Sequence, residues 1–193
     1  MQNFIDPWAL FNQYYNEAVA NAVDPCPATL ATVNQIGQPS ARIILIRHFD
    51  AQGLVFYTNI QSRKGEELKD NPKAALCFYW QAINRQIRIE GTIETIPAKE
   101  TDLYFASRPY GSQINALISK QSSSLASYEA FIEQHKATEK LLSQQKIVRP
   151  EYWVGLKLVP SYFEFWQDEK SRCHLRQSFT KLNNSWKMDL LYP

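Results

Sequence analysis

Hydrophobic and polar positions divide the chain into helical and strand-like stretches. After Asp6-Pro7, the run WALFNQYYNEAVANAV places Trp8, Phe11, Tyr15, Ala18 and Val19 at helical spacing, with Asp6 as N-cap and Pro7 in the first helical position. The period then shortens. ATLATV (28–33), ARIILIRHF (41–49) and GLVFYTN (53–59) read as strands, separated by turns containing Gly37 and Asp50-Ala51-Gln52-Gly53. Ser62 to Lys69 reads as a short helix stopped by Asn71-Pro72. KAALCFYW (73–80) shows little alternation, which predicts a strand buried on both faces. RQIRIEGTIETI (85–96) alternates, with Ile87, Ile89 and Ile93 on one side and Gln86, Arg88, Glu90 and Glu94 on the other, the pattern of a strand with one wet face.

From Pro97 the helical period returns, over 97–107, 112–119 and 127–144. Beyond Pro150 come four strand-like segments, YWVGLKLV, YFEFWQ, SRCHLRQSF and SWKMDLL, the last two joined by the hairpin-like Leu182-Asn183-Asn184. The organisation is one domain over 1–193: an N-terminal helix (1–25), a helical insertion (97–145) and C-terminal strands (150–193). Six or more strands with hairpin-length gaps predict an α+β, mainly β chain, an antiparallel barrel with helices packed outside. The lack of βαβ alternation and of GxGxxG argues against a Rossmann fold.

Composition narrows the function classes. At 45% hydrophobic and 13% aromatic residues the chain can bury a sizeable core. A net charge of +2 is too weak to hold nucleic acid through a bulk field, so any anion site must be local. Cys26, Cys77 and Cys173 are odd in number and lack CxxC spacing, which predicts reduced thiols rather than a zinc site. MQNFIDPWALF has no basic leader, and no apolar run approaches the roughly 18 residues of a membrane span. A soluble cytoplasmic protein is expected, with neither membrane nor metal.

Four constellations could carry chemistry. Ser62-Arg63-Lys64 stands where a strand gives way to a helix, and free N–H groups plus two cations there suit a phosphate or only a solvated helix start. Arg42 and Arg47 are an odd number of residues apart, so on a flat strand they face opposite ways unless a bulge re-aims one or a ligand wraps the strand edge or a subunit seam. In RCHLR, Arg172, His174 and Arg176 are two apart and would share one strand face, with Cys173 and Leu175 turned into apolar packing. In YFASRPYGSQINALISKQSS (104–123), Tyr104, Arg108 and Ser112 are four apart across a break at Pro109 and Gly111, and could converge on a second phosphate or simply cap a helical joint.

Taken together in order and spacing, RIILIR, FYTN, SRKGEEL, RQIRIEG, FASRPYGSQI, SKQSS, FEFWQ and RCHLR make the chain resemble the pyridoxamine 5′-phosphate oxidase family from about Asp6 to Pro193. The resemblance implies an antiparallel Greek-key split β-barrel with surrounding helices, assembled as a homodimer with FMN at the subunit interface. It implies FMN contacts from Arg42, Ile43, Ile44, Leu45, Ile46, Arg47, Tyr57, Thr58, Arg63, Lys64, Gln86, Gln121, Ser122, Trp166 and Arg176. Substrate contacts would come from Arg47, Tyr104, Arg108 and Ser112 at the phosphate, and from Arg172 and His174, the implied catalytic pair, over the pyridine ring. The implied chemistry is hydride transfer from a phosphorylated vitamin B6 substrate to the flavin, with O2 as acceptor and hydrogen peroxide as product.

The chain departs from the family pattern in places. Arg47 stands where lysine is usual, Leu175 where RLHDR has aspartate, and Leu190 where an arginine is usual; a basic N-terminal arm found in some members is not expected. Two alternatives follow: a flavin oxidoreductase of the same fold with another substrate, as in phenazine-pathway relatives, or a non-catalytic binder of FMN or pyridoxal phosphate.

Overall fold

The computed structural model describes residues 6–143, 145–183 and 185–193. Residues 1–5, the predicted helix end at Gln144 and the hairpin residue Asn184 lie outside the described residues. The strands are β1 (Pro27–Val33), β2 (Pro39–Leu45), β3 (His48–Asp50), β4 (Gly53–Asn59), β5 (Lys73–Trp80), β6 (Arg85–Thr95), β7 (Trp153–Gln167), β8 (Leu175–Leu182) and β9 (Ser185–Leu190). The helices are α1 (Pro7–Ala20), α2 (Arg63–Asp70), α3 (Ala98–Ser107), α4 (Tyr110–Ile118) and α5 (Tyr128–Leu142).

All strand pairs are antiparallel, in the order β2-β1-β5-β6-β7-β4-β3, with β8 added to β7 and β9 to β8. β7 is the spine. It pairs with β6 along Leu156–Gln167, while its other edge takes β4 along Trp153–Leu158 and β8 along Tyr162–Gln167. The sheet forks there.

The fork corrects one expectation. YWVGLKLV and YFEFWQ are a single 15-residue strand that runs through Pro160. Proline cannot donate to a ladder, and the pairing slips where it stands: Gly91 faces Pro160, Glu90 faces Tyr162, and Ser161 is the extra residue of a bulge. A Cβ on Gly91 would lie 2.1 Å from the Val159 carbonyl oxygen, so only glycine fits opposite the bulge.

Three further expectations are corrected. ARIILIRHF is two strands, broken at Ile46-Arg47, where Ile46 N–H donates to the Cys26 carbonyl and Arg47 N–H to that of Val55. KAALCFYW alternates after all: Ala74, Leu76, Phe78 and Trp80 face the core while Tyr79 is exposed, because the opposite face of β5 is uncovered in the protomer. SRCHLRQSF becomes strand only at Leu175; Lys170–Arg172 is a short 3-10 turn, with Ser171 and Arg172 in the left-handed region.

The core explains the N-terminal helix. Asp6 caps it by accepting from Trp8 N–H, as predicted. Phe11, fully buried, meets Phe49, Phe78 and Trp80 edge-on or tilted, and Trp8 meets Phe163 at 5.1 Å. The buried stripe is Trp8, Leu10, Phe11, Tyr14 and Ala18; Val19, in the last turn, is exposed. A smaller apolar cluster of Phe105, Ile114, Ala116, Ile147 and Trp153 seats α3 and α4 on the start of β7.

Candidate functional site

A cleft of about 620 Å3 runs along the free edge of β2 to the joint between α3 and α4. Side chains of both parities from Ser40 to Leu45 line it, because the cleft wraps an edge strand. Arg47 joins them from the β2–β3 kink, so Arg42 and Arg47 line one cleft despite their odd separation. Of the implied flavin contacts, Arg42, Ile43, Ile44, Leu45, Arg47, Tyr57, Thr58, Arg63, Lys64, Gln121 and Ser122 line this cleft. Ile46 does not: it is 4% exposed and belongs to the core.

One end of the cleft is built by α2. Ser62 is the N-cap, with extended backbone, though its hydroxyl donates to the Asn59 carbonyl instead of capping. Gly65 lets the first turn press onto the preceding chain; a Cβ there would sit 2.1 Å from the Ile60 carbonyl oxygen. That close approach buries Lys64, whose ammonium donates to Gln121 Oε1 at 2.8 Å, Ser62 Oγ at 3.1 Å and Thr58 Oγ1 at 3.2 Å. Burial, reinforced by the Arg42 charge and partly offset by Glu67, lowers the Lys64 pKa to about 8. Arg63 stays exposed at the helix start. Glu67, absent from the sequence-based candidates, lies beneath these cations. Burial raises its pKa, but hydrogen bonds from Ser40, Thr32, Arg63 and Arg42 outweigh burial and hold the carboxyl near 2.

The other end is built by the α3–α4 joint. Arg108 is the C-cap of α3, and its guanidinium sits 4.7 Å from the Trp153 ring centroid and 5.7 Å from that of Phe105. Its Nη1 is buried and makes no hydrogen bond among the described residues. Burial lowers the Arg108 pKa, Tyr104 opposes this and the neighbouring Arg47 charge adds to it. Two neighbouring guanidiniums with a donor unspent suit an anion, since an orphaned buried donor costs about 1–3 kcal/mol until it finds a partner. Between the two ends Tyr57 stacks on Tyr104 at 3.9 Å and on Trp153 at 5.2 Å, forming a flat aromatic wall. Ser112, in the first turn of α4, is half-buried and does not line the cleft.

The remaining candidates gather elsewhere. Gln86, Trp166 and Arg176 occupy one register row across β6, β7 and β8, and the His174 ring lies 4.7 Å from that of Trp166. The expectation that Arg172, His174 and Arg176 share a strand face fails, because the strand starts after His174 and left-handed backbone at Ser171 and Arg172 cancels the parity. Cys173 and Leu175 are exposed, not packed. Arg176 is held by Glu164, with Nε and Nη2 at 2.9 and 2.8 Å from Oε1. His174 Nδ1 lies 3.0 Å from Asp168. Glu164 and Asp168 were not candidates, and nothing in the spacing marks them.

Comparison with known proteins covers the chain end to end. Residues 16–139 match the family model described as pyridoxamine 5′-phosphate oxidase, and residues 153–193 match that described as pyridoxine 5′-phosphate oxidase C-terminal dimerisation region. A pyridoxine/pyridoxamine 5′-phosphate oxidase of Ehrlichia chaffeensis is 44% identical over 97% of this chain and 98% of its own. One of Bordetella avium is 49% identical over 98% of this chain and 89% of its own. A crystal structure of PhzG from Burkholderia lata 383, in complex with tetrahydrophenazine-1-carboxylic acid, superposes with a TM-score of 0.92 at 30% identity, covering 100% of this chain and 95% of that one. With both family regions matched in order and near-full-length relatives well above 40% identity, the chain belongs to the pyridoxamine 5′-phosphate oxidase family.

Proposed function

We propose that this protein is an FMN-dependent oxidase that converts pyridoxamine 5′-phosphate or pyridoxine 5′-phosphate to pyridoxal 5′-phosphate, with O2 as acceptor and hydrogen peroxide as product. The observation that carries the reading is the unspent buried donor of Arg108 beside Arg47, at the far end of the same cleft as Arg63 and Lys64. Two cationic ends joined by an aromatic wall fit two phosphorylated, planar ligands. The donor set at α2 fits the phosphate of FMN: Lys64 and Arg63 supply charge, and Thr58, Gln121 and Ser122 supply polar partners around it. Arg47, Tyr104 and Arg108 take the substrate phosphate, with Ser112 from the first turn of α4.

We place Gln86, Trp166 and Arg176 on the wall supplied by a second copy of the chain, with Arg172 and His174 over the substrate ring, so that residues 1–193 act as one domain of a homodimer with FMN at the seam. A cytoplasmic location suits this reading; no described helix is long and apolar enough to cross a membrane. Bound FMN supplies the redox chemistry, accepting a hydride from the substrate carbon that bears the amine or alcohol. The protein fixes both phosphates, presents a flat wall to the rings and keeps bulk water from Lys64.

Anaerobic mixing with pyridoxamine 5′-phosphate tests the activity: the yellow flavin should bleach. FMN should also bind at least about tenfold more tightly than riboflavin, since a hydrogen bond to a charged group contributes roughly 1.5–3 kcal/mol. The preference should depend on pH. Lys64 in the free protein loses its proton around pH 8, so FMN affinity should fall as pH rises above 8, by up to about tenfold per unit. It should also fall below roughly pH 6, where the phosphate gains a proton. Riboflavin affinity should be flat across both limbs, and equal affinity for the two flavins would refute the phosphate site.

Arg172 tests the ring end. It is exposed in the turn before β8, close to His174 along the chain. Arg172→Ala should slow flavin reduction at saturating pyridoxamine 5′-phosphate at least about tenfold, a barrier rise of roughly 1.4 kcal/mol, with FMN retained. Leu175→Asp restores the family residue and should speed reduction. If neither wild type nor Leu175→Asp bleaches with any pyridoxine-type phosphate, the second reading takes over, an oxidoreductase acting on another substrate, which the likeness to PhzG favours.

A further inference from the structure

We infer that Glu67 is a positioning residue for the flavin phosphate, its buried carboxylate holding Arg42 of β2 and Arg63 of α2 in one cluster beside Lys64. The inference rests on the phosphate-site reading above and extends it to a residue that touches no ligand.

Glu67 is 4% exposed and spends both oxygens. Oε1 accepts from Arg63 Nε at 2.9 Å. Oε2 accepts from Ser40 Oγ at 2.6 Å, from Thr32 Oγ1 and from Arg42 Nη2 at 3.2 Å. The same two hydroxyls accept from Arg42, Thr32 from Nη1 and Ser40 from Nη2. Arg42 is thus held at both terminal nitrogens, directly and through two hydroxyl relays. Arg63 is held only at Nε, and among the described residues neither of its Nη groups makes a hydrogen bond. Fixing Nε removes much of the rotamer freedom of an otherwise exposed side chain and leaves both terminal nitrogens for a ligand.

An ordinary helical i,i+4 pair would explain Arg63 alone. It would not explain why Thr32 and Ser40, on two neighbouring strands, also converge on the carboxylate, nor why that carboxylate is buried. The charge count points the same way. Three cations and one carboxylate leave a surplus of two positive charges, the complement of a phosphate monoester near neutral pH.

Positioning and bulk electrostatics predict opposite signs. Removing a negative charge from beside three cations should strengthen phosphate binding if only charge matters. If Glu67 aims the arginines, its loss should weaken binding in spite of the gained positive charge. The experiment strips flavin from the full chain and titrates FMN and riboflavin by fluorescence quenching. Glu67→Gln should weaken FMN at least about tenfold, the loss of one well-aimed charge-assisted contact, and change riboflavin less than about twofold. Unchanged or tighter FMN binding overturns the inference, and so does equal weakening of both flavins, which would mark a purely structural role. Should Glu67→Gln fail to fold, Ser40→Ala removes one relay without altering charge. A selective loss of FMN affinity of at least about threefold supports the inference, and no selective loss overturns it. If wild type itself does not prefer FMN, the phosphate-site reading falls and carries this inference with it. If wild type prefers FMN and Glu67→Gln keeps the whole preference, only the role of Glu67 falls.

Discussion

Arg108→Ala should raise the Michaelis constant for pyridoxamine 5′-phosphate about a hundredfold and leave FMN content and the flavin spectrum unchanged. Two interactions set the magnitude, a charge-assisted bond from the unspent Nη1 and the long-range pull of a guanidinium in a half-buried site, together roughly 2.7 kcal/mol. The structure adds an outcome that separates binding from folding. In the free protein Nη1 is buried without a partner among the described residues and Arg47 repels it, so removing the side chain should not lower the thermal midpoint by more than its packing on Trp153 and Phe105 contributes. Unphosphorylated pyridoxamine is the control. Wild type should strongly prefer the phosphorylated amine, and the variant should lose most of that preference. If the variant loses FMN instead, Arg108 belongs to the flavin site; if it unfolds, it belongs to the fold.

What the sequence made legible depended on distance along the chain. Local signals were sound: Asp6-Pro7 does start α1, Asn71-Pro72 does stop α2, and the clean alternation of 85–96 is β6 with Ile87, Ile89 and Ile93 inside. The cationic helix start at Ser62-Arg63-Lys64 was readable because a helix start and its cations are neighbours in sequence. Misreadings arose where partners from afar changed local geometry. Pro160 looks like a strand end until Gly91, on another strand, supplies the bulge that admits it. Arg172, His174 and Arg176 look like one face until the left-handed backbone of Ser171-Arg172 intervenes, and no residue type there announces it.

The same distinction separates cleft-lining residues from the carboxylates behind them. Lysine and arginine at a helix start raise a question about anions; a glutamate four residues on reads as an ordinary helix pair. Only the fold brings Thr32, Ser40 and Arg42 onto Glu67, from residues 25 to 35 positions away along the chain. Glu164 is the second such case. Nothing in the spacing of FEFWQ marks it, yet it is 3% exposed. Each acid accepts from two arginines, Glu67 from Arg42 and Arg63 and Glu164 from Arg88 and Arg176.

Glu164→Ala should therefore have a large effect on the stability of the C-terminal fork. The carboxylate accepts from Arg176 on β8 through Nε and Nη2, from Arg88 on β6 at 3.0 Å and from the Tyr162 hydroxyl at 3.3 Å. Arg176 in turn donates to the Tyr192 carbonyl at 2.8 Å, so one buried acid ties three strands to the terminal segment. Removing one partner of a buried pair costs about 3–5 kcal/mol, because the charge left behind is neither paired nor solvated. Here the arginines keep 42% and 27% exposure and can rehydrate, which places the expected loss near the lower end, about 3 kcal/mol. The measurement is urea unfolding of flavin-free protein at one fixed concentration, so that neither ligand nor subunit linkage enters the difference. Adding Arg176→Ala to the variant should cost less than the two single changes summed, since the second removes a charge the first has stranded. A loss below about 1 kcal/mol, the range of exposed ion pairs, would mean that water already screens Glu164 and that the fork is held by Phe163, Phe165 and Phe179 alone.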